Sequence, residues 1–539
     1  MKRLLISLCF IGLISLNIMG QSSAKYRIWL SDKAGSEYSI EHPEAFLSQK
    51  SIERRAKCRI EITEQDLPIS TTYRQSIESL GTKIIVSSRW MNTAVIATDN
   101  KEILTKIEAL PFVTKIECVQ PSLKNIKTDI PHHKTRLLQD ESYLSRPTNR
   151  AKKNPLYGMA WDQLHMINLD SLHQAGYYGK DITIAVLDAG FPDVDTHPYM
   201  KNIQIIGTHD FTQKTFSYSG VSHGTTVLIC MAAYAPGRYI GAAPEANYVL
   251  IVTEDNRGEN SVEEDYWAAG VEMADSIGAD IINSSLGYNT FDDPSQDYTT
   301  ADLDGQTAFS TRIANIAAQK GLLVVSAAGN EYNNSWEKIN VPSDAFGILT
   351  VGSVDVDGQH SFFSSIGNTT DGRIKPDVAA IGEGTYIINK DGSVSQTTGT
   401  SFSTPIISGA LACLWQALPD LSAEELIDAV RKSSSQYHSP DSLIGYGIPN
   451  IYSIFCDISG VNDVYAQQEG IYATNGTLHI PHIKQQCSLS IYSTTGQVVH
   501  QQELATGQNT INIPHITKGI YIVTLTTKQQ QIVRKIAIG

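Results

Sequence analysis

Residues 181–190 read DITIAVLDAG. Five of the six residues before the second aspartate are apolar, so the run has no polar face to give to water. A strand of this kind is covered on both sides, as in a parallel sheet sandwiched between helices. The same signature recurs at 246–255 (ANYVLIVTED), 279–285 (ADIINSS), 321–330 (GLLVVSAAGN) and 348–354 (ILTVGSV). Between the runs lie helical patterns, SVEEDYWAAGVEMADSIG at 261–278 and TAFSTRIANIAAQKG at 307–321. Strands alternating with helices predict an α/β domain with a parallel sheet and helices on both faces.

The polar residues that close these elements are unusual as a set. Asp188 ends the first strand, and in an open α/β sheet the carboxyl ends are where ligands bind. His223 opens the helix pattern SHGTTVLICMAA (222–233), and Asn330 follows another strand. Ser401 sits in GTSFSTP (399–405), at the mouth of the apolar helix IISGALACLWQAL. Each has an ordinary reading: turn aspartate, capping histidine, turn asparagine, N-cap serine. Together they are a carboxylate, a base, an amide donor and a nucleophile, the four roles that acyl transfer needs.

The stretches IAVLDAG, HGTTV, INSSLGY, VVSAAGN, RIKPDVAAIG and GTSFSTPIISGALA resemble, in order, those of the subtilisin-like serine proteases, the subtilases, and span most of 181–420. The chain order Asp, His, Ser is the one known for that family. The resemblance implies a serine endopeptidase acting on protein or peptide substrates. Ser401 would be the nucleophile, His223 the general base and then acid, and Asp188 the group that orients the imidazole. Asn330 and the Ser401 N–H would bind the oxyanion. Ser285, Leu286 and Gly287 would pair with an extended substrate, and Ala327, Ala328 and Gly329 would wall the primary specificity pocket. Glu331 stands at that pocket's edge or in an exposed turn. A contrasting reading is a catalytically inactive surface binding or scaffold protein on the same fold; the presence of all four chemical residues argues against it.

Two departures stand out. Ala189 occupies a place where many relatives carry a hydroxyl, so one auxiliary hydrogen bond to the aspartate is expected to be missing. AYAPGRYIGAAPEA (233–246) lacks the oxygen-rich loop of a familiar calcium site, so no metal ligand is assigned and no cofactor is expected for catalysis. The acidic stretch NTFDDPSQDYTTADLDG (289–305) reads as a solvated loop that could hold a structural calcium.

The flanks read differently. Residues 26–119 follow a βαββαβ order, a ferredoxin-like α+β unit, and resemble a subtilase propeptide, the enzyme's own intramolecular inhibitor. After 457 the helical periodicity stops, and short alternating strands, with a hairpin signal at Asn475-Gly476, predict a small antiparallel β-sandwich. LSIYSTTGQVV and KGIYIVTL there resemble the sorting domain of type IX secretion substrates, which implies outer-membrane secretion machinery as a partner. At the start, Lys2 and Arg3 precede an apolar run and then Ser22, Ser23 and Ala24, the layout of a signal peptide. The expected division is a signal peptide at 1–24, propeptide at 25–122, linker at 123–156, catalytic domain at 157–456 and sorting domain at 457–539. Export to the medium or the outer cell surface follows. The formal net charge of −14 speaks against nucleic-acid binding. Seven scattered cysteines form no CxxC and no dense disulfide framework.

Overall fold

The computed structural model describes residues 23–122, 154–213, 215–459 and most of 471–538. The expected signal peptide lies almost wholly outside them, as does nearly all of the expected linker. The chain divides into two compact units, Met1–Tyr452 and Ser453–Gly539.

The first unit opens with β1 (Lys25–Leu30), α1 (Gln49–Cys58), α2 (Thr71–Ser79), β2 (Ile84–Ser88), β3 (Thr93–Ala97), α3 (Lys101–Glu108) and β4 (Val113–Gln120). The four strands form one antiparallel sheet in the order β2-β3-β1-β4, the ferredoxin-like arrangement. Asn100 caps α3 by accepting from the Glu102 N–H, and Ile28, Ile77, Ile96 and Ile107 fill the space beneath the sheet. Sequence periodicity does not announce α1; its stripe is charged rather than apolar, for a reason given below.

The α/β part contains α4 (Trp161–His165), α5 (Leu169–Gln174), β5 (Thr183–Asp188), β6 (Gln204–Asp210), α6 (His223–Ala232) and a short hairpin, β7 (Tyr234–Ala235) and β8 (Tyr239–Ile240). It continues with β9 (Asn247–Val252), α7 (Val262–Ile277), β10 (Ile281–Ser284), α8 (Phe309–Gln319), β11 (Leu323–Ala327), β12 (Leu349–Val354) and β13 (Val378–Ile381). A ribbon of β14 (Thr385–Ile388) and β15 (Val394–Thr397) leads into α9 (Thr400–Ala417), followed by α10 (Ala423–Ser433) and α11 (Ile451–Ser459). Seven parallel strands run β13-β12-β11-β10-β5-β9-β6. Every residue of β5, β10, β11, β12 and β13 is buried, as uninterrupted apolar runs require. The edge strand β6 is half exposed and polar, and its sequence gives no strand signal.

From β5 the chain returns on one side to pair β9, and later builds β10, β11, β12 and β13 on the other. The order reverses at β5, so its carboxyl end opens the crevice where such sheets bind ligands. Two apolar helices, α6 and α9, pack on the sheet beside that crevice. Thr400 to Trp415 of α9 are all buried. Helices apolar all round belong inside a protein.

The second unit comprises β16 (Tyr472–Thr474), β17 (Thr477–His479), β18 (Cys487–Ser493), β19 (Val498–Leu504), β20 (Thr510–Asn512), β21 (Gly519–Thr526) and β22 (Gln531–Ile538). Its two antiparallel sheets, β16-β17-β20 and β19-β18-β21-β22, enclose Leu478, Leu489, Ile491, Leu504, Ile513 and Val523. Asn475 and Gly476 lie outside the described residues; the strands flanking them pair with Thr474 opposite Thr477. Among the described residues, Cys58, Cys118, Cys230, Cys413 and Cys487 form no disulfide.

Candidate active site

Asp188 is the last residue of β5 and is fully buried. His223 is the first residue of α6, and its Nδ1 lies 2.7 Å from Asp188 Oδ1. Gly224 makes that approach possible. A Cβ there would sit 2.5 Å from the Gly190 carbonyl oxygen and 2.9 Å from Asp188 Cβ, so only glycine lets the start of α6 press against the end of β5. Oδ1 also accepts from the Ala189 N–H at 2.7 Å. Oδ2 is buried without a hydrogen-bond partner among the described residues. Burial alone would push the His223 pKa down, but the charge and hydrogen bond of Asp188 outweigh it, and the imidazole is raised above its ordinary value.

Ser401 lies in the first turn of α9 and is 5% exposed. His223 and the adjacent Phe402 are ring neighbours, with centroids 5.8 Å apart. The Ser401 hydroxyl donates to the Ser285 carbonyl at 3.3 Å rather than to the imidazole. The Ser401 N–H has no carbonyl four residues back within its helix, which leaves it free to bind an anion. Asn330 follows β11, and its Oδ1 accepts from the Thr400 N–H at 2.9 Å and from Thr400 Oγ1 at 3.1 Å. A backbone N–H can only donate, so this contact fixes which side of the carboxamide is oxygen and leaves Nδ2 as the donor. Thr400 Oγ1 also accepts from the Gly329 N–H at 3.2 Å. Thr400 thus ties the amide donor to the nucleophile's own turn, a role the sequence did not reveal.

Ser285, Leu286 and Gly287 follow β10. Among the described residues the backbone groups of Leu286 and Gly287 carry no hydrogen bond, while Tyr288 is paired with Val341. Ala327 ends β11, and Ala328 is bonded on both sides, to Val351 and Asn340. Gly329 has φ of 112°, and a Cβ there would meet Asn340 Nδ2 and Ser365 Oγ at 2.8 Å. The two segments stand on neighbouring parallel strands, β10 and β11. Glu331 accepts from Asn334 Nδ2 in its own turn.

Glu254, Glu259 and Glu263 offer carboxylate oxygens within 4.8 Å of one another. Glu254 accepts from the Tyr288 hydroxyl, and Glu263 from the N–H groups of Asp255 and Asn260. In the acidic loop, Asp293 and Asp302 cap short helical turns, and Asp304 accepts from the N–H groups of Gln306 and Thr307.

The N-terminal unit sits on α7 and α8. Trp90 and Met91 join the core formed by Trp267, Val271, Phe309 and Ile313. Around them lies a web of buried charges. Arg27 forks onto Asp265 through two 2.8 Å bonds. Arg54, Arg55 and Arg89 converge on Asp275, and Asp66 meets Lys320 and Arg55. Glu272 accepts from Ser88 Oγ and from the N–H groups of Arg89 and Trp90. This explains α1, whose buried stripe is Ser51, Arg54 and Arg55. The last residues of β4 lie against the start of α7 and the loop at Gln296. The Val119 carbonyl accepts from Ser261 Oγ at 3.2 Å and the Cys118 carbonyl from Gln296 at 2.8 Å. Gln120 and Ser122 are buried.

Residues 179–447 match the family described as Subtilase family, 25–135 the Peptidase S8 propeptide domain of Bacteroidota, and 474–539 the secretion system C-terminal sorting domain. Subtilisin NAT of Bacillus subtilis subsp. natto is 29% identical over 293 residues, covering 53% of this chain and 69% of its own. The thermostable alkaline protease of Halalkalibacterium halodurans is 27% identical over 354 residues, 64% of this chain and 84% of its own. Among solved structures, fervidolysin from Fervidobacterium pennivorans, a keratinolytic enzyme related to subtilisin, superposes with a TM-score of 0.53 at 18% identity, over 94% of this chain and 71% of that one, a likeness of fold.

Proposed function

Because this chain belongs to the subtilase family, carrying an S8 propeptide domain and a C-terminal sorting domain that marks it for secretion or the cell surface, we propose that it is a secreted serine endopeptidase made as a self-inhibited precursor. The observation that carries the reading is the 2.7 Å Asp188–His223 pair standing beside the first turn of α9.

The chemistry follows from the atoms. A peptide strand pairs with the free backbone of 286–287, which brings its scissile carbonyl over Ser401. The Ser401 hydroxyl swings from the Ser285 carbonyl to His223 Nε2, which takes its proton as Oγ attacks. Asp188 accepts from Nδ1–H and stabilises the imidazolium. The oxyanion is held by the Ser401 N–H and Asn330 Nδ2, both fixed before reaction, so no reorganisation is needed when charge develops. His223 then protonates the leaving amine. Water, activated by the same imidazole, releases the acyl group. Catalysis on this route uses no cofactor.

Residues 25–122 cover α7, and the end of β4 bonds to Ser261 and Gln296, which supports their role as folding aid and intramolecular inhibitor. The polar sequence of 123–156, with Arg146, Arg150, Lys152 and Lys153, supports a maturation cut there. The sorting domain implies outer-membrane secretion machinery as partner. Ser401→Ala tests the reading: cleavage of peptides and covalent labelling by an active-site serine reagent should vanish with the melting temperature unchanged. Near-normal turnover in that variant would refute it.

A further inference from the structure

We propose that Ser285 is a positioning residue for the nucleophile, acting through its side-chain hydroxyl on the Ser401 carbonyl, and that Asn283 and Ser408 hold that hydroxyl in place. The inference rests on the serine-protease reading above and adds three groups to it.

It begins with a missing donor. In an α-helix the carbonyl of residue 401 accepts from the N–H of residue 405. Residue 405 is proline, inside α9, and has no N–H to give. A carbonyl orphaned in a buried turn needs another partner. Ser285 supplies it: its Oγ donates to the Ser401 carbonyl at 2.9 Å.

The donor is itself aimed. Asn283 Nδ2 donates to Ser285 Oγ at 3.3 Å, and Ser408 Oγ donates to Asn283 Oδ1 at 2.8 Å. Each proton has one direction: Ser408 to Asn283, Asn283 to Ser285, Ser285 to the Ser401 carbonyl. Asn283 and Ser408 are completely buried, and Ser285 and Ser401 are 6% and 5% exposed. Asn283 lies in β10 beside Ile281 and Ile282, where a buried amide is costly unless satisfied. Ser408, in mid-helix, bonds across to β10 instead of back to its own helix, the usual alternative for a helical serine. The Ser401 hydroxyl closes the circuit by donating to the Ser285 carbonyl.

The circuit therefore joins two things that catalysis must hold in register. One is the turn carrying the attacking oxygen. The other is the segment 285–287, on which the substrate backbone pairs. Proline at 405 removes the bond that would fix the turn to its own helix, and the strand takes over. Misplacing reacting atoms by about 1 Å costs on the order of 10²-fold in rate, so a partial loosening is felt in turnover rather than in binding.

The experiment is a double-mutant cycle on the mature enzyme with a chromogenic peptide. Ser285→Ala should lower kcat about tenfold, the cost of one buried hydrogen bond, with KM kept within about twofold. Ser285→Thr keeps the hydroxyl and should restore most of the loss. Pro405→Ala returns a backbone N–H to the Ser401 carbonyl, so in that background Ser285→Ala should cost less than about threefold. The same penalty in both backgrounds, or a rise in KM with kcat kept, would overturn the proposal. If Ser285→Ala yields no folded protein, Ser408→Ala is read in its place: lower kcat at kept KM supports the circuit, and unchanged kcat overturns it. Ser401→Ala separates the two claims. Residual cleavage there sinks the protease reading itself, whereas a dead Ser401→Ala with no coupling sinks only the circuit.

Discussion

Asp275 is the place where one atom-sized change should separate inhibition from catalysis. Its carboxylate is fully buried, with Oδ1 accepting from Arg54 and Oδ2 from Arg55 and Arg89. All three guanidinium groups belong to the N-terminal unit, so they would leave with it on the proposed maturation. Asp275→Asn keeps the shape and removes the charge. Breaking a buried ion pair from one side costs about 3–5 kcal/mol, because the abandoned charge stays buried. The abandoned groups here keep other acceptors. Arg55 retains Asp66, Arg54 the Ala279 carbonyl, and Arg89 the Glu272 carbonyl and Ser276 Oγ. The loss therefore belongs at the low end, about 3 kcal/mol, and at 1.4 kcal/mol per decade this is about a 100-fold rise in the inhibition constant of the free propeptide. The assay titrates residues 25–122 against mature wild-type and Asp275→Asn enzyme. The kcat/KM of the two enzymes without propeptide should agree within about twofold, since Asp275 lies in the last turns of α7, away from the catalytic residues. An inhibition constant within threefold of wild type would refute the argument that this charge web holds the propeptide on.

Three further expectations follow from the same geometry. Asn330→Ala should lower kcat by about 10²–10³-fold with little change in KM, the usual cost of one oxyanion donor, as read by steady-state kinetics. Because His223 must be neutral to take the Ser401 proton and its pKa is raised, activity should fall as pH drops through a midpoint above the ordinary imidazole value of 6.5; a kcat/KM profile with its acid limb below 6.5 contradicts this. The mature N-terminus should fall between 123 and 156, because Tyr157 is fully buried on His173 and Gly158 lies against the Arg238 backbone, where a Cβ would meet the carbonyl oxygen at 2.2 Å; N-terminal sequencing of active protein that begins after 158 would refute it.

Uninterrupted apolar runs could only be doubly covered strands, so β5, β9, β10, β11 and β12 were legible from sequence, and so was the polar residue that ends each chemical strand. The βαββαβ order over 26–119 and the alternation after 457 likewise carried the N-terminal α+β unit and the β-rich second unit. Edge strand β6 escaped because half its residues face water and its pairing comes only from β9. Helix α1 escaped because its buried face is arginine, and an arginine stripe reads as solvated until a buried aspartate from 220 residues away is placed against it. The same holds for Thr400 and for the Ser408–Asn283–Ser285 circuit. Single serines, threonines and asparagines have local uses everywhere in a chain, and only the packing of α9 on β10 and β11 decides which partner each finds. Sequence determined which chemical groups stand at the strand ends. Tertiary structure decided how each is oriented, because hydrogen-bond direction depends on donors and acceptors that are near in space and far apart along the chain.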